Sequence, residues 1–179
     1  MAIITRSDLK GIAPPYRSFS EARAGELRKS AGVTRKPQVF LSHSHRDNDV
    51  VLNAMGLLAH YGGDPYVDWL DPGMPDRTDA QTAQSIKAKI DSCARFVLLA
   101  SERALVSRWV PWELGFGDAR KGLDRIAILP VRESDSEYSG SEYLQIYSSI
   151  RSTNDYDYAV FPPGQSRGPS LQEWIAESR

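Results

Sequence analysis

Short apolar runs alternate with helix-like segments along most of this chain, and this alternation restricts the possible folds more than any other feature. Gln38–Ser42, Phe96–Ala100 and Arg125–Val131 are runs of β-branched, aromatic and aliphatic residues, the pattern typical of buried strands. Apolar residues recur at helical spacing within Val50–Ala59, Asp79–Ser92 and Glu102–Lys121. Strands separated by helices form βαβ units, in which the strands are parallel and helices cover both faces. The sequence therefore predicts an α/β fold around a central parallel sheet.

The remaining segments add a strand, a loop and a C-terminal part to this prediction. Asp64–Leu70 is predicted to be the second strand, and it leads into the polar loop Asp71–Thr78. Glu142–Ile150 is compatible with a helix and Tyr158–Phe161 with an edge strand. The pattern Ser170-Leu-Gln-Glu173 is a capping box, which predicts a final helix.

The first 36 residues differ from the rest of the chain. Pro14-Pro15 interrupts regular structure, and the capping-box pattern Ser18-Phe-Ser-Glu21 predicts a short polar helix from Glu21 to about Ala31. We therefore expect residues 1–36 to form an N-terminal arm and residues 37–179 to form the main domain. This arm either packs loosely on the domain or offers its helix to a partner.

The composition fits one folded domain without nucleic-acid or membrane partners. The chain has 179 residues, and its 22 lysines and arginines nearly balance its 23 acidic residues, which excludes a strongly basic surface. No apolar run approaches the roughly 18 residues that a membrane span requires. The start of the chain lacks an apolar signal core, so we expect a cytoplasmic protein. The single cysteine, Cys93, excludes an intrachain disulfide.

A cluster of polar residues directly follows the first predicted strand. His43-x-His45-x-Asp47 matches the opening of the zinc-binding motif of metallo-β-lactamase-like hydrolases, but Asn48 stands where that motif continues with histidine. The only other histidine, His60, lies within a predicted helix, so the supply of ligands is too small for a hydrolytic metal site. We therefore expect no metal. The cluster either lines a ligand pocket, since ligands bind at the carboxyl ends of parallel strands, or is a solvated turn.

A second candidate segment, Ser107–Leu114, opens a predicted helix. Pro111 fits the first turn of a helix, where a missing N–H has no consequence. The four-residue step from Trp109 to Glu113 brings an indole and a carboxylate together if helical geometry extends back to Trp109. The alternative is that the tryptophans pack in the core while Glu113 faces solvent. Periodicity alone leaves both possibilities open.

These two segments resemble motifs of one known family. Val39-Phe-Leu-Ser-His-Ser-His-Arg-Asp47 resembles the F-[IV]-S-[YH]-S-x-x-D opening of Toll/interleukin-1 receptor (TIR) domains. Ser107-Arg-Trp-Val-Pro-Trp-Glu-Leu114 is similar to their S-x-W-C-x-x-E-L segment, with Val110 in place of the cysteine. Val67–Pro75 occupies the position of the family's BB loop. The resemblance covers residues 37–131 well and continues weakly to about Phe161.

The resemblance implies a flavodoxin-like TIR fold and an activity on NAD. Many bacterial members cleave NAD to ADP-ribose or to a cyclic ADP-ribose isomer, with NAD as substrate and no cofactor. Glu113 matches the glutamate that is catalytic in those members. By the same resemblance, Trp109 would line the nicotinamide-ribose pocket. The residues that we expect to bind the substrate are His43, Ser44, His45, Trp69, Asp71 and Trp109.

The resemblance also implies a biological setting. We expect a signal generator or NAD depleter in bacterial anti-phage defence, with a downstream effector that senses the product. A homo-oligomer is expected to form through the Asp71–Thr78 loop. Two alternatives remain open: a non-catalytic TIR adaptor, and an enzyme similar to nucleoside deoxyribosyltransferases.

Overall fold

A mostly parallel sheet forms the centre of the computed structural model, which describes residues 4–12, 36–71, 73, 80–132, 142–153 and 157–177. Its strands are β1 (Ile4–Thr5), β2 (Gln38–Ser42), β3 (Asp64–Tyr66), β4 (Arg95–Ala100), β5 (Ile126–Arg132), β6 (Ser148–Ser152) and β7 (Tyr158–Phe161). The strand order is β3-β2-β4-β5-β6-β7, and β1 pairs with the end of β5. Only the β6–β7 pair is antiparallel among these strands.

Helices cover both faces of this sheet, as the sequence predicts. They are α1 (Arg6–Ile12), α2 (Asn48–His60), α3 (Ala80–Ser92), α4 (Glu102–Leu105), α5 (Val110–Lys121) and α6 (Leu171–Ala176). Alternate residues of each strand point to opposite faces, so β4 contributes Val97 and Leu99 to one apolar cluster and Phe96 and Leu98 to the other. The first cluster includes residues of α1, α2 and α6, and the second includes residues of α3, α4 and α5. No helix in the described part of the chain is both long and apolar enough to cross a bilayer.

The second predicted strand is shorter than expected. β3 pairs with β2 only over Asp64–Tyr66, and Asp68–Leu70 forms a 3₁₀ turn instead of continuing the strand. The Asp68 carboxylate accepts a hydrogen bond from the Trp69 N–H at 2.9 Å, and its carbonyl accepts one from the Asp71 N–H at 2.9 Å. These two local bonds stabilise the turn, so the second half of this prediction is wrong.

The C-terminal prediction is partly wrong. Glu142–Ile146 is a 3₁₀ helix, but Ser148–Ser152 is β6, whose Ile150 is fully buried. The pairing of β6 with both β5 and β7 outweighs the weak helical pattern. The edge strand β7 is confirmed, as is the capping box, in which Ser170 and Glu173 exchange hydrogen bonds at the start of α6.

Part of the N-terminal segment belongs to the sheet and core. Ile4 and Thr5 pair in parallel with Val131 and Arg132, and Leu9 of α1 is fully buried. The predicted arm helix from Glu21 to Ala31 lies outside the described residues. The domain boundary at residue 36 stays a prediction.

Candidate active site

The end of β2 and the first turn of α5 bring a hydroxyl and a carboxyl group together. Ser42 Oγ donates a hydrogen bond to Glu113 Oε2 at 2.6 Å, and both side chains are buried. The Glu113 N–H donates to the Trp109 carbonyl at 2.9 Å, so helical geometry does extend back to Trp109. The alternative in which Glu113 faces solvent is therefore wrong, because the residue is only 6% exposed.

Local sequence explains why α5 begins at this place and lies close to the sheet. Ser107 Oγ accepts hydrogen bonds from the N–H groups of Trp109 and Val110, at 3.2 and 3.5 Å, and Pro111 occupies the first turn. Gly117 lets the helix pack against β4, since a Cβ there would come within 3.0 Å of the Phe96 ring. This close packing brings the helix that carries Glu113 near to the sheet.

The environment of Glu113 opposes its ionisation. Burial raises the pKa of this carboxyl group from its ordinary 4.5 to about 8, the Ser42 hydrogen bond partly offsets the rise, and the charge of Asp68 adds to it. The group is therefore protonated in most molecules at neutral pH and ionises as the pH rises through 8. A cation placed beside it would favour the ionised form.

Two histidines and an aspartate meet beside this pair. His43 is buried, and its Nδ1 donates to the Leu41 carbonyl at 2.9 Å. His43 Nε2 lies 3.7 Å from Asp68 Oδ1, and the exposed His45 has its Nε2 3.5 Å from Asp68 Oδ2. Burial lowers the pKa of His43, an effect that the Asp68 charge partly opposes. Ser44, also buried, lies between the two histidines in the chain.

Asp47, the third member of the sequence motif, does not face the histidines. It is fully buried and accepts hydrogen bonds from Ser101 Oγ and from Arg6 at 2.8 Å, while the Arg103 guanidinium lies 3.3 Å away. Arg6 comes from α1, so the N-terminal segment is tied directly to the loop that follows β2. Asp47 therefore anchors this loop, and Asp68 is the carboxylate that meets both imidazoles.

Of the three remaining predicted site residues, Trp69 contacts this cluster, whereas the side chains of Trp109 and Asp71 make their described contacts elsewhere. The Trp69 ring is 36% exposed and contacts the edge of His43 with ring centroids 6.4 Å apart. Trp109 is half-buried and packs edge-on against Trp112 at 5.2 Å. Asp71 accepts a hydrogen bond from Tyr66 Oη at 2.9 Å and pairs with Lys89 at 3.1 Å. Burial alone would raise the pKa of Asp71, but these bonds and that of the Gly73 N–H lower it.

Ser42 and Asp68 are absent from the predicted site residues, although Ser42 begins the polar cluster that follows the first strand. A signal for Ser42 exists, because in a strand it shares a face with Phe40, which packs toward the helix that carries Glu113. Asp64, Asp68 and Asp71 together suggest a cation site in the sequence, but an ordinary acidic rim is the simpler interpretation while the segment is assigned to a strand. Ser42 binds Glu113 directly, whereas Asp68 lies beside the two histidines and acts on Glu113 through its charge.

Two comparisons with known proteins agree with each other. The family model described as TIR domain matches residues 39–161, which contain Ser42, Glu113, Asp68 and both histidines of the loop. A curated protein of Bacillus cereus (strain MSX-D12), described as a probable 3' cyclic ADP-D-ribose synthase, ThsB', is 34% identical over 164 residues. That alignment covers 84% of this chain and 83% of the Bacillus protein.

Proposed function

Because this chain belongs to the TIR domain family, we propose that it cleaves the bond between nicotinamide and ribose in NAD, forming ADP-ribose or a cyclic ADP-ribose isomer. The observation that carries the proposal is the buried Glu113 carboxyl group, held by Ser42 at the carboxyl end of the sheet. A carboxyl group whose pKa is raised to about 8 destabilises the fold at neutral pH, and such groups concentrate at functional sites. The similarity to a protein described as a cyclic ADP-D-ribose synthase supports the same substrate.

The chemistry needs one well-placed negative charge. Nicotinamide leaves NAD as a neutral ring, so its departure needs no general acid, and the positive charge remains on an oxocarbenium-like ribose. The Glu113 carboxylate stabilises this charge in a site from which water is largely excluded, and Ser42 fixes the orientation of one carboxylate oxygen. Such a charge contributes on the order of 3 kcal/mol to the transition state, about a hundredfold in rate.

The residues around Glu113 are proposed to hold the substrate. The rings of Trp69 and Trp109 offer apolar faces for nicotinamide and ribose, and the histidine loop supplies polar groups. Water that captures the ribose cation gives ADP-ribose, while an internal nucleophile gives a cyclic product. The described activity of the Bacillus relative favours the cyclic product.

The substrate proposal is tested by incubating the purified protein separately with NAD and with deoxynucleosides and following both by chromatography. We expect nicotinamide release from NAD and no base exchange between deoxynucleosides. Turnover of deoxynucleosides alone would favour the deoxyribosyltransferase-like alternative. If NAD is not consumed at any protein concentration, the result would favour a non-catalytic adaptor.

Replacing His45 with Ala is expected to raise the KM for NAD several-fold with little change in kcat. The His45 imidazole is exposed and contacts Asp68, not Glu113 itself. Loss of this imidazole should therefore affect NAD binding more than bond cleavage. Steady-state kinetics over a range of NAD concentrations measure both constants, and His43→Ala should act in the same direction. Treatment with EDTA should leave turnover unchanged. A large fall in kcat for His45→Ala would contradict this assignment.

We further propose that the active species is a homo-oligomer formed through the Asp71–Thr78 loop, most of which lies outside the described residues. The net charge of −1 does little to keep protomers apart. Activity per protomer should therefore rise with concentration, and Met74→Asp should weaken both association and turnover. Light scattering and activity are measured over the same dilution series. Constant specific activity from a monomeric protein would exclude this assembly.

The biological setting is a proposal of the same kind. We place the product in bacterial anti-phage signalling, where a downstream effector senses it. The cytoplasmic location belongs to the same proposal. Neither point affects the chemistry assigned to Glu113.

A further inference from the structure

Three potential metal-ligand atoms converge at the carboxyl end of the sheet. They are the Nε2 atoms of His43 and His45 and a carboxylate oxygen of Asp68, all within 4.8 Å of one another. The closest His–Asp distances are 3.7 Å for His43 and 3.5 Å for His45. These separations are long for hydrogen bonds, but they are close to the spacing of neighbouring ligands on a single metal ion.

The orientation of His43 exposes a lone pair to this cluster. Its Nδ1 must donate the hydrogen bond to Leu41, because a carbonyl oxygen can only accept. In the neutral ring, Nε2 is then the unprotonated nitrogen, and it has no hydrogen-bond partner among the described residues although it is buried. It faces the Asp68 carboxylate, another electron-rich group. A cation between them would convert this repulsion into two attractive contacts.

Two of the three ligand separations are already close to those of a metal site, although the two histidines approach different oxygens of Asp68. Metal–ligand bonds of about 2.0–2.2 Å in tetrahedral geometry separate neighbouring ligand atoms by roughly 3.3–3.6 Å. The His45–Asp68 distance of 3.5 Å falls within this range, and the His43–Asp68 distance of 3.7 Å lies just above it. The His45 side chain is 61% exposed, so it can turn without disturbing the core. His43 is already held by a hydrogen bond to a carbonyl, as metal-bound histidines usually are.

We propose that His43, His45 and Asp68 bind a divalent transition metal of the zinc class. Two imidazoles and one carboxylate suit Zn²⁺, Co²⁺ or Ni²⁺ better than Mg²⁺ or Ca²⁺, which take oxygen ligands. The sequence-based expectation of a metal-free loop rested on Asn48, which replaces the next histidine of the motif, and on the remote position of His60. In the structure Asp68, and not Asp47, is the carboxylate that meets both histidines.

The metal's role is to connect two loops. It links the segment after β2, which starts at Ser42, to the 3₁₀ turn after β3, and so holds both beside Glu113. It takes no part in bond cleavage, so the proposal goes beyond the proposed function: chelation should leave kcat at saturating NAD unchanged but raise the KM for NAD, because both loops bind the substrate.

The test uses the full chain without a polyhistidine tag, freed of metal by chelation and dialysis. Calorimetric titration with Zn²⁺ should show one site, and Co²⁺ should produce the visible absorption of a tetrahedral nitrogen–oxygen site. Zn²⁺ should also raise the unfolding temperature, because it binds the folded state more tightly than the unfolded state. None of these measurements involves NAD, so they are independent of the NAD proposal.

His45→Ala and His60→Ala form a matched pair. His45→Ala should weaken Zn²⁺ binding at least about tenfold and abolish the Co²⁺ band, and Asp68→Asn should do the same. His60, on α2, is the remaining histidine of the chain, and His60→Ala should bind as the wild type does. The proposal is overturned if the wild type binds neither metal, if His45→Ala binds as tightly as the wild type, or if only His60→Ala loses binding.

Discussion

Replacing Glu113 with Gln should reduce nicotinamide release from NAD by at least about a hundredfold. Glutamine keeps the size of the side chain and can still accept the Ser42 hydrogen bond, but it cannot carry the negative charge that stabilises the ribose cation. The reduction should fall mainly on kcat, because the lost interaction forms in the transition state. Chromatographic measurement of NAD consumption over a wide range of enzyme concentrations determines the ratio.

Stability measurements separate this effect from misfolding. The folded pKa of Glu113 is about 8 against an ordinary 4.5, so between these values the folded protein holds a proton that the unfolded chain has released. The free energy of unfolding that this group contributes therefore falls as the pH rises from 4.5 through 8. Glu113→Gln should thus unfold at pH 8 at a temperature equal to or above that of the wild type.

An exposed glutamate provides the matched control. Glu102 lies in the first turn of α4 and faces solvent, so Glu102→Gln makes the same chemical change without touching the site. It should retain wild-type turnover. Full activity in Glu113→Gln, or equal losses in both variants, would contradict the catalytic assignment.

Replacing Ser42 with Ala should lower kcat/KM for NAD at pH 7 by about tenfold. The Ser42 hydroxyl donates to Glu113 at 2.6 Å and favours the charged carboxylate. Its removal raises the pKa of Glu113 further, so fewer molecules carry the ionised group at neutral pH. The loss should therefore shrink as the pH rises, which a purely structural defect would not produce.

A serine away from the site controls for this change. Ser92 is exposed at the end of α3, and Ser92→Ala should keep the wild-type dependence of rate on pH. The kcat/KM values of the three proteins are compared across one pH series, because this ratio reports ionisations of the free enzyme. A Ser42→Ala variant that loses the same fraction of its rate at every pH would leave Ser42 with a structural role only.

The strands that carry the site were predictable because each is buried on both faces. β2 and β4 read as continuous apolar runs, and parallel pairing puts Ser42 and Ala100 at the same edge of the sheet. The four-residue helical spacing of Trp109 and Glu113 was also predictable from the sequence. The side of the helix that faces the sheet was not predictable, since periodicity could not decide whether Glu113 faced the sheet or solvent.

The features that could not be predicted depend on contacts between distant segments. Asp68 reaches the histidine loop only because the strand stops at Tyr66 and the chain turns, and this turn depends on local hydrogen bonds of Asp68 itself. Arg6 binds Asp47 across 41 positions of sequence, a pairing that no local pattern indicates. The pKa of Glu113 depends on its burial and on the charge of Asp68, so the sequence alone could not predict it.

The most direct test of the central claim is the pH dependence of kcat/KM for nicotinamide release by the wild-type protein freed of metal. This ratio reports ionisations of the free enzyme, and Glu113 must be ionised to stabilise the ribose cation. Because burial raises its pKa to about 8, activity is lost as the pH falls below that value and approaches a plateau above it. We predict a single ionisation with an apparent pKa near 8. A profile that is flat from about pH 6 to about pH 9, or that declines as the pH rises through this range, would contradict the account.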